Sequence, residues 1–169
     1  MATPKDNLLD WLRDAHAMEQ QAESMLKGQS ERLEHYPVLK RRIVEHIEET
    51  KGQQKSLEAC IARLGGSTST FKDLAGKVMA FGQALGGTVM SDEVVKGAMS
   101  GYVFENLEIA MYTVLIEAAE QVGDQETADA CRAILEQEKA MAKWLHEHLP
   151  EVTRAFLARS ADPQAEAKR

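Results

Sequence analysis

Two glutamates interrupt the most apolar part of the chain. The stretch YVFENLEIAMY, Tyr102 to Tyr112, runs on into TVLIEAA, yet Glu105 and Glu108 lie inside it, three residues apart. That spacing puts both carboxylates on one helix face. Other acids share such surroundings. Glu19 lies in the run Leu12, Ala15, Ala22, Leu26, and Glu138 lies among Ile134, Leu135, Met141, Ala142 and Leu145. Glu49 stands with His46 and Gln53 beside the Ile43–Thr50–Leu57 stripe, whereas Glu136 points away from its own stripe. Glu19 and Glu49 are 30 residues apart, and so are Glu108 and Glu138. In two antiparallel helix pairs, equal spacings of this kind predict one shared layer of four carboxylates.

A lone glutamate on an apolar stripe is usually a boundary residue, but four helices and two equal spacings would have to coincide. Bare anions in a core cost several kcal/mol each unless compensated. No inward Lys or Arg is apparent in these helices. Two divalent cations would neutralise four carboxylates. Oxygen ligands with an occasional imidazole or amide suit iron first, with manganese and zinc as alternatives. The candidate ligands are therefore Glu19, Glu49, Glu108 and Glu138, with Glu105 as a fifth acid and His46 and Gln53 beside them. Five carboxylates exceed the charge of two divalent ions, so one must be protonated or stand back from the metal. His16, His46 and Gln53 stay open between ligand and neighbour. Tyr102 and Tyr112 flank the acids and would supply hydrogen bonds or electrons.

The elements that must hold these residues are helical throughout. Ala, Leu, Glu, Gln, Lys and Met dominate, and strand-like alternation is absent. Helices are predicted from Lys5 to Gly28, Pro37 to Leu64, Asp92 to Gln121, and Gln125 to His148, just before Pro150. Pro37 suits a first helical turn. The insert from Gly65 to Ser91 carries its own amphipathic stripe, Phe71, Leu74, Val78, Phe81 and Leu85, ending at Gly86–Gly87. Short loops make helices one and two, and three and four, antiparallel hairpins. The long insert can return along the bundle, so helices two and three should run parallel. Two hairpins joined by one crossover describe an all-α, ferritin-like four-helix bundle. One domain is expected over residues 1–160, with a disordered tail over 161–169.

Composition narrows the function. The chain has 169 residues, a formal charge of −7 and a pI near 5.3. This disfavours nucleic acid or an anionic membrane as partner. No basic tail supports a DNA-coating role. Cys60 and Cys131 form no CxxC pair and read as reduced core thiols. The N-terminal residues lack an apolar signal core, and no apolar run approaches membrane-spanning length, which points to the cytosol.

The segments AMEQQAESML, HIEETKGQQKSLE, GYVFENLEIAMY and ILEQEKAMAKWL resemble the YciE/YciF-type ferritin-like family over Asn7 to Leu157. The resemblance implies a homodimeric bundle with a dinuclear metal site and a link to stress responses. It matches Glu19, Glu49, the Glu105–Glu108 pair and Glu138 to the family's acids. Ferritin-like diiron proteins commonly carry Glu-x-x-His. Here Gly52 follows Glu49 by three, Met141 follows Glu138 by three, and Gln53 stands where relatives often have His. The leading reading is a dinuclear iron or manganese carboxylate protein that oxidises ferrous iron or handles peroxide. The alternative is a non-catalytic metal-binding or interaction protein, working as a homo-oligomeric stress-response bundle.

Overall fold

The computed structural model of the protein describes residues 2–68, 91–162 and 164. Within them the chain forms four helices: α1 (Pro4–Glu31), α2 (Pro37–Arg63), α3 (Glu93–Gln121) and α4 (Gln125–Ser160). Local chemistry explains their limits. The Thr3 hydroxyl accepts from the Asp6 amide while the Asp6 carboxylate accepts from the Thr3 amide, a reciprocal cap at the start of α1. Prolines occupy the first turns of α1 and α2, where no amide hydrogen is needed. Gly65 and Gly123 take positive φ just past α2 and α3. The next amide in each case, Gly66 or Asp124, bonds back to the carbonyl of Ile61 or Ala119. These are glycine-dependent helix stops.

Side-chain partners set the topology. His16 faces Glu58 while Glu23, further along α1, meets Gln54, earlier in α2, so α1 and α2 are antiparallel. Tyr112 reaches Glu19 at one end of the α1–α3 contact and Glu93 reaches Arg32 at the other, so α1 and α3 are antiparallel too. It follows that α2 and α3 run parallel, as the long connection predicts. Each helix packs against two neighbours, with α1 beside α2 and α3, and α4 beside α2 and α3.

Among the described residues two large apolar clusters fill the bundle, with a small third one of Met18, Ala22 and Phe104. One gathers Leu8, Leu12, Leu57, Ile61, Leu115, Cys131 and Ile134, among others. The other gathers Leu26, Leu33, Leu39, Ile43, Val94, Met141, Leu145 and Val152. Both cysteines are buried free thiols, and burial raises the Cys131 pKa to about 12.

One boundary differs from expectation. The last helix continues through Pro150 to Ser160 instead of stopping near His148. Pro150 removes one backbone hydrogen bond and crowds the preceding turn. Val152 is buried beyond it, and Ala155 and Phe156 pack on the same cluster, so tertiary burial outweighs the local penalty. The insert stripe Phe71, Leu74, Val78, Phe81 and Leu85 lies outside the described residues, as do 163 and 165–169 of the tail.

Pro150 is exposed and sits mid-helix. Pro150→Ala restores the missing amide hydrogen. Proline costs about 3 kcal/mol against alanine in a helix interior, and the looser unfolded chain returns about 1 kcal/mol of that. The variant is expected to be more stable by roughly 2 kcal/mol in urea melts. An unchanged or lower midpoint would show that the turn is already relaxed around the ring.

Candidate metal centre

Midway along the bundle, between the two apolar clusters, polar groups replace the core. Glu19 from α1, Glu105 and Glu108 from α3, and Glu138 from α4 are each no more than 2% exposed. His46, Thr50 and Gln53 of α2 and Tyr112 of α3 are equally buried. Helical spacing explains the grouping. Glu105, Glu108 and Tyr112 recur at three and four residues on α3, and His46, Thr50 and Gln53 do so on α2.

His46 sits at the centre of one half of the site. Its Nε2 lies 3.3 Å from Glu105 Oε2 and 3.5 Å from Glu138 Oε2. These are ion-pair distances without hydrogen-bond alignment, since neither oxygen has a hydrogen-bond partner. The ligating atoms of His46, Glu105 and Glu138 all lie within 4.8 Å of one another. Gln53 Nε2 donates to Glu138 Oε1 and, at 3.0 Å, to Gln137 Oε1. The Tyr112 hydroxyl donates to Glu19 Oε1.

Each buried acid keeps one oxygen without a hydrogen-bond partner: Glu19 Oε2, Glu105 Oε2, Glu108 Oε1 and Glu138 Oε2. Thr50 Oγ1 and Gln53 Oε1 are in the same condition. Buried polar atoms of folded proteins are almost always satisfied. A cluster of such exceptions from all four helices is the arrangement a cation would complete. Oxygen donors with one imidazole fit a hard or borderline divalent metal.

Electrostatics without a metal show how the site manages its charge. Burial, with the neighbouring Glu138 charge, raises Glu19 well above the usual carboxylate range. Burial and the charges of Glu19, Glu105 and Glu138 do the same to Glu108. Burial lifts Glu105 to about 8, against the pull of His46. Burial also opposes charge on His46, but Glu105, Glu138 and Glu49 outweigh it and raise His46 to about 12. Glu138 is held low: burial works against its charge, and the close His46 ring and the Glu105 carboxyl outweigh it. The imidazole thus favours charge on one carboxylate while burial disfavours it on the neighbours.

Not every expected residue joins the cluster. Glu49 lies at the rim, its side chain 33% exposed. Its Oε2 accepts from His46 Nδ1 at 2.6 Å and from Arg42 Nη1 and Nη2 at 3.2 and 3.1 Å. The reason is register. Gln54 reaches the Glu19 carbonyl and the Glu23 carboxylate, so the α2 residue level with Glu19 lies more than a turn beyond Glu49. Leu33 and Tyr36 prolong the connection by packing into the core before α2 begins. Tyr102 also stays out, with its ring against His146 at 5.4 Å. His16 is buried but turns to Glu58 at 3.1 Å. Arg42 and Thr50 escaped sequence reasoning. Arg42 reads as one member of an exposed basic run, and Thr50 as a stripe residue with no charge to mark it.

The DUF892 family, a domain of unknown function, matches residues 3–158. The chain belongs to this family. A protein from Xanthomonas campestris is 42% identical, with a TM-score of 0.81 over 94% of this chain and 99% of that one. The E. coli stress protein YciF is 22% identical, with a TM-score of 0.76 over 89% and 97%. A ferritin-like, diiron-carboxylate protein from Bacillus anthracis is 19% identical, with a TM-score of 0.73 over 88% and 99%. At the latter two identities the likeness is one of fold: the chain is a ferritin-like four-helix bundle. The expected kinship with YciF-type proteins agrees with its family.

The titration directions carry a sign. A carboxyl whose folded pKa is raised binds its proton more tightly folded than unfolded. Its contribution is complete below the unfolded value of 4.5 and is lost as pH rises through the folded value, about 8 for Glu105 and well above the usual carboxylate range for Glu19 and Glu108. Metal-free protein should therefore lose stability from about pH 5 to pH 8. Glu108→Gln, which has nothing to titrate, should flatten that slope and stabilise the metal-free chain at the alkaline end. Thermal melts in chelator across this range test it, and parallel slopes for the two proteins would refute it.

Proposed function

We propose that this chain is a dinuclear metal carboxylate protein whose two divalent ions sit between Glu19, Glu105, Glu108 and Glu138. The observation that carries the proposal is the set of four partnerless, buried carboxylate oxygens. Four carboxylates balance two divalent charges. Glu105, Glu138 and His46 would hold one ion, and Glu19 and Glu108 the other, with Glu138 close to both groups. Iron is the favoured metal, with manganese or zinc as alternatives. Bound there, the ions would supply redox chemistry towards dioxygen or peroxide, in the service of ferrous-iron oxidation or peroxide removal under stress. The names of YciF as a stress protein and of the Bacillus protein as diiron-carboxylate support this reading without extending to substrate.

The chain's own residues have separable tasks. The four acids and His46 bind. Tyr112 orients Glu19 by holding Oε1 and leaving Oε2 towards the cluster. Gln53 does the same for Glu138 by occupying its Oε1. The flanking apolar clusters keep bulk water away. We place the working unit in residues 1–160 and its compartment in the cytosol; among the described residues no helix is long and apolar enough to cross a membrane.

Protein purified without chelator should contain two metal ions per chain. Aerobic Fe(II) titration should show a break at that stoichiometry. Metal at about 100 times its dissociation constant adds roughly 2.7 kcal/mol, which for a chain of this size raises the melting temperature by about 5–10 °C. Glu108→Gln should reduce the bound metal and suppress oxidation. Absence of both bound metal and thermal shift with Fe(II), Mn(II) and Zn(II) would reject the proposal.

A second reading, association as a homodimer, has its own support. Met99, Val103, Leu107 and Val114 are 43–52% exposed along α3, and Trp11 of α1 is 39% exposed. Trp11 and Val114 line one groove between the two helices. Light scattering should give twice the chain mass, and Leu107→Lys should give the monomer; a monomeric wild type would reject it.

A further inference from the structure

Glu49 and Arg42 are polar groups at the edge of the site whose arrangement the ligand set leaves unexplained. We propose that Glu49 acts as a positioning residue: with Arg42, it fixes the ring orientation and tautomer of His46, so that Nε2 is presented to a divalent metal beside Glu105 and Glu138. The inference rests on the metal reading above and assigns His46 and Glu49 separate tasks.

The geometry is directional. Arg42 can only donate, and both of its terminal nitrogens point at Glu49 Oε2. That oxygen is therefore an acceptor for every group around it, including His46 Nδ1 at 2.6 Å. Nδ1 must carry the hydrogen. In a neutral imidazole this leaves the lone pair on Nε2, the atom facing Glu105 Oε2 and Glu138 Oε2. A metal-bound histidine is generally oriented in this way by a carboxylate on its other nitrogen. Glu49 meets the description without entering the buried layer. Its side chain is 33% exposed against 1% for His46.

The order along the helix is also informative. The usual nitrogen ligand of such bundles lies three residues after a glutamate. Here that position is Gly52, a residue with no side chain to offer, and the imidazole lies three residues before Glu49. The same one-face spacing is used in reverse. The carboxylate is displaced to the rim and the imidazole enters the site.

The test uses full-length protein loaded with Co(II). Its probes are the exchangeable, hyperfine-shifted N–H proton resonance of a metal-bound imidazole and the affinity for Co(II) from competition with a chelator. Wild type should show one such resonance, absent in His46→Gln. Glu49→Gln keeps an acceptor for Nδ1 and should retain the resonance with less than about tenfold loss of affinity. Glu49→Leu removes the acceptor and should lose or broaden the resonance, with affinity reduced about 10- to 100-fold. Circular dichroism of both metal-free variants checks the fold. Equal losses in the Gln and Leu variants would make Glu49 a direct ligand and overturn the proposal. An unchanged resonance and affinity in Glu49→Leu would overturn it as well. Failure of wild type to take up Co(II), Fe(II) or Zn(II) would instead sink the metal reading beneath it.

Discussion

Four carboxylates placed where a helical bundle should be driest are the constraint on which the rest of the structure depends. Uncompensated buried ions cost several kcal/mol each, a large share of the stability of a domain. The chain meets that cost in two ways. It divides the charge, with His46 favouring the ionised form of Glu138 while burial favours the protonated forms of Glu19, Glu105 and Glu108. It also encloses the polar layer between two apolar clusters that draw on all four helices. Stability comes from the ends, and the middle is free to be a site.

This division explains the length of α4. The cluster on one side of the site includes Leu26, Leu33, Tyr36, Leu39 and Val94, near the ends or starts of α1, α2 and α3. Without the residues beyond Pro150 that cluster would lack Val152, Ala155 and Phe156 on its α4 side. The helix therefore passes through a proline that local propensity would make its terminus. At the other end, Arg63 ties α2 to Asp124 and Glu126 at the start of α4, closing the bundle where Gly65 and Gly123 turn the chain.

Much of this was legible in the residues. Helix-forming composition, apolar recurrence and loop lengths specify four helices and the parallel relation of α2 and α3. Glu19, Glu105, Glu108 and Glu138 were visible because an acid in an apolar stripe is costly unless something uses it. Glu49 lies at the rim and not in the expected layer because a spacing along the chain becomes a height in the bundle only if the turn is symmetric. The α3–α4 turn is tight, and far along the hairpin Gly101 faces the Leu145 side chain, in step with Glu108 beside Glu138. The α1–α2 connection buries Leu33 and Tyr36 first, which shifts α2 by more than a turn. Thr50 and Arg42 were missed for a related reason. Neither is anomalous on its own, and each gains meaning only from the direction of its neighbours.

The shift of α2 also bears on the charge balance of the proposed pair of divalent ions. With Glu49 in the layer, five carboxylates would face two divalent cations, and one would need a proton or another partner. With Glu49 at the rim, Arg42 supplies that partner and lowers its need to be neutral. At the level of Glu138, α2 then contributes Gln53 and Thr50, which are neutral, and His46, which can give up its proton. Three helices bring anions, and the fourth brings groups that carry none. The number of carboxyl groups inside becomes four, which is the number that the proposed pair of divalent ions would balance.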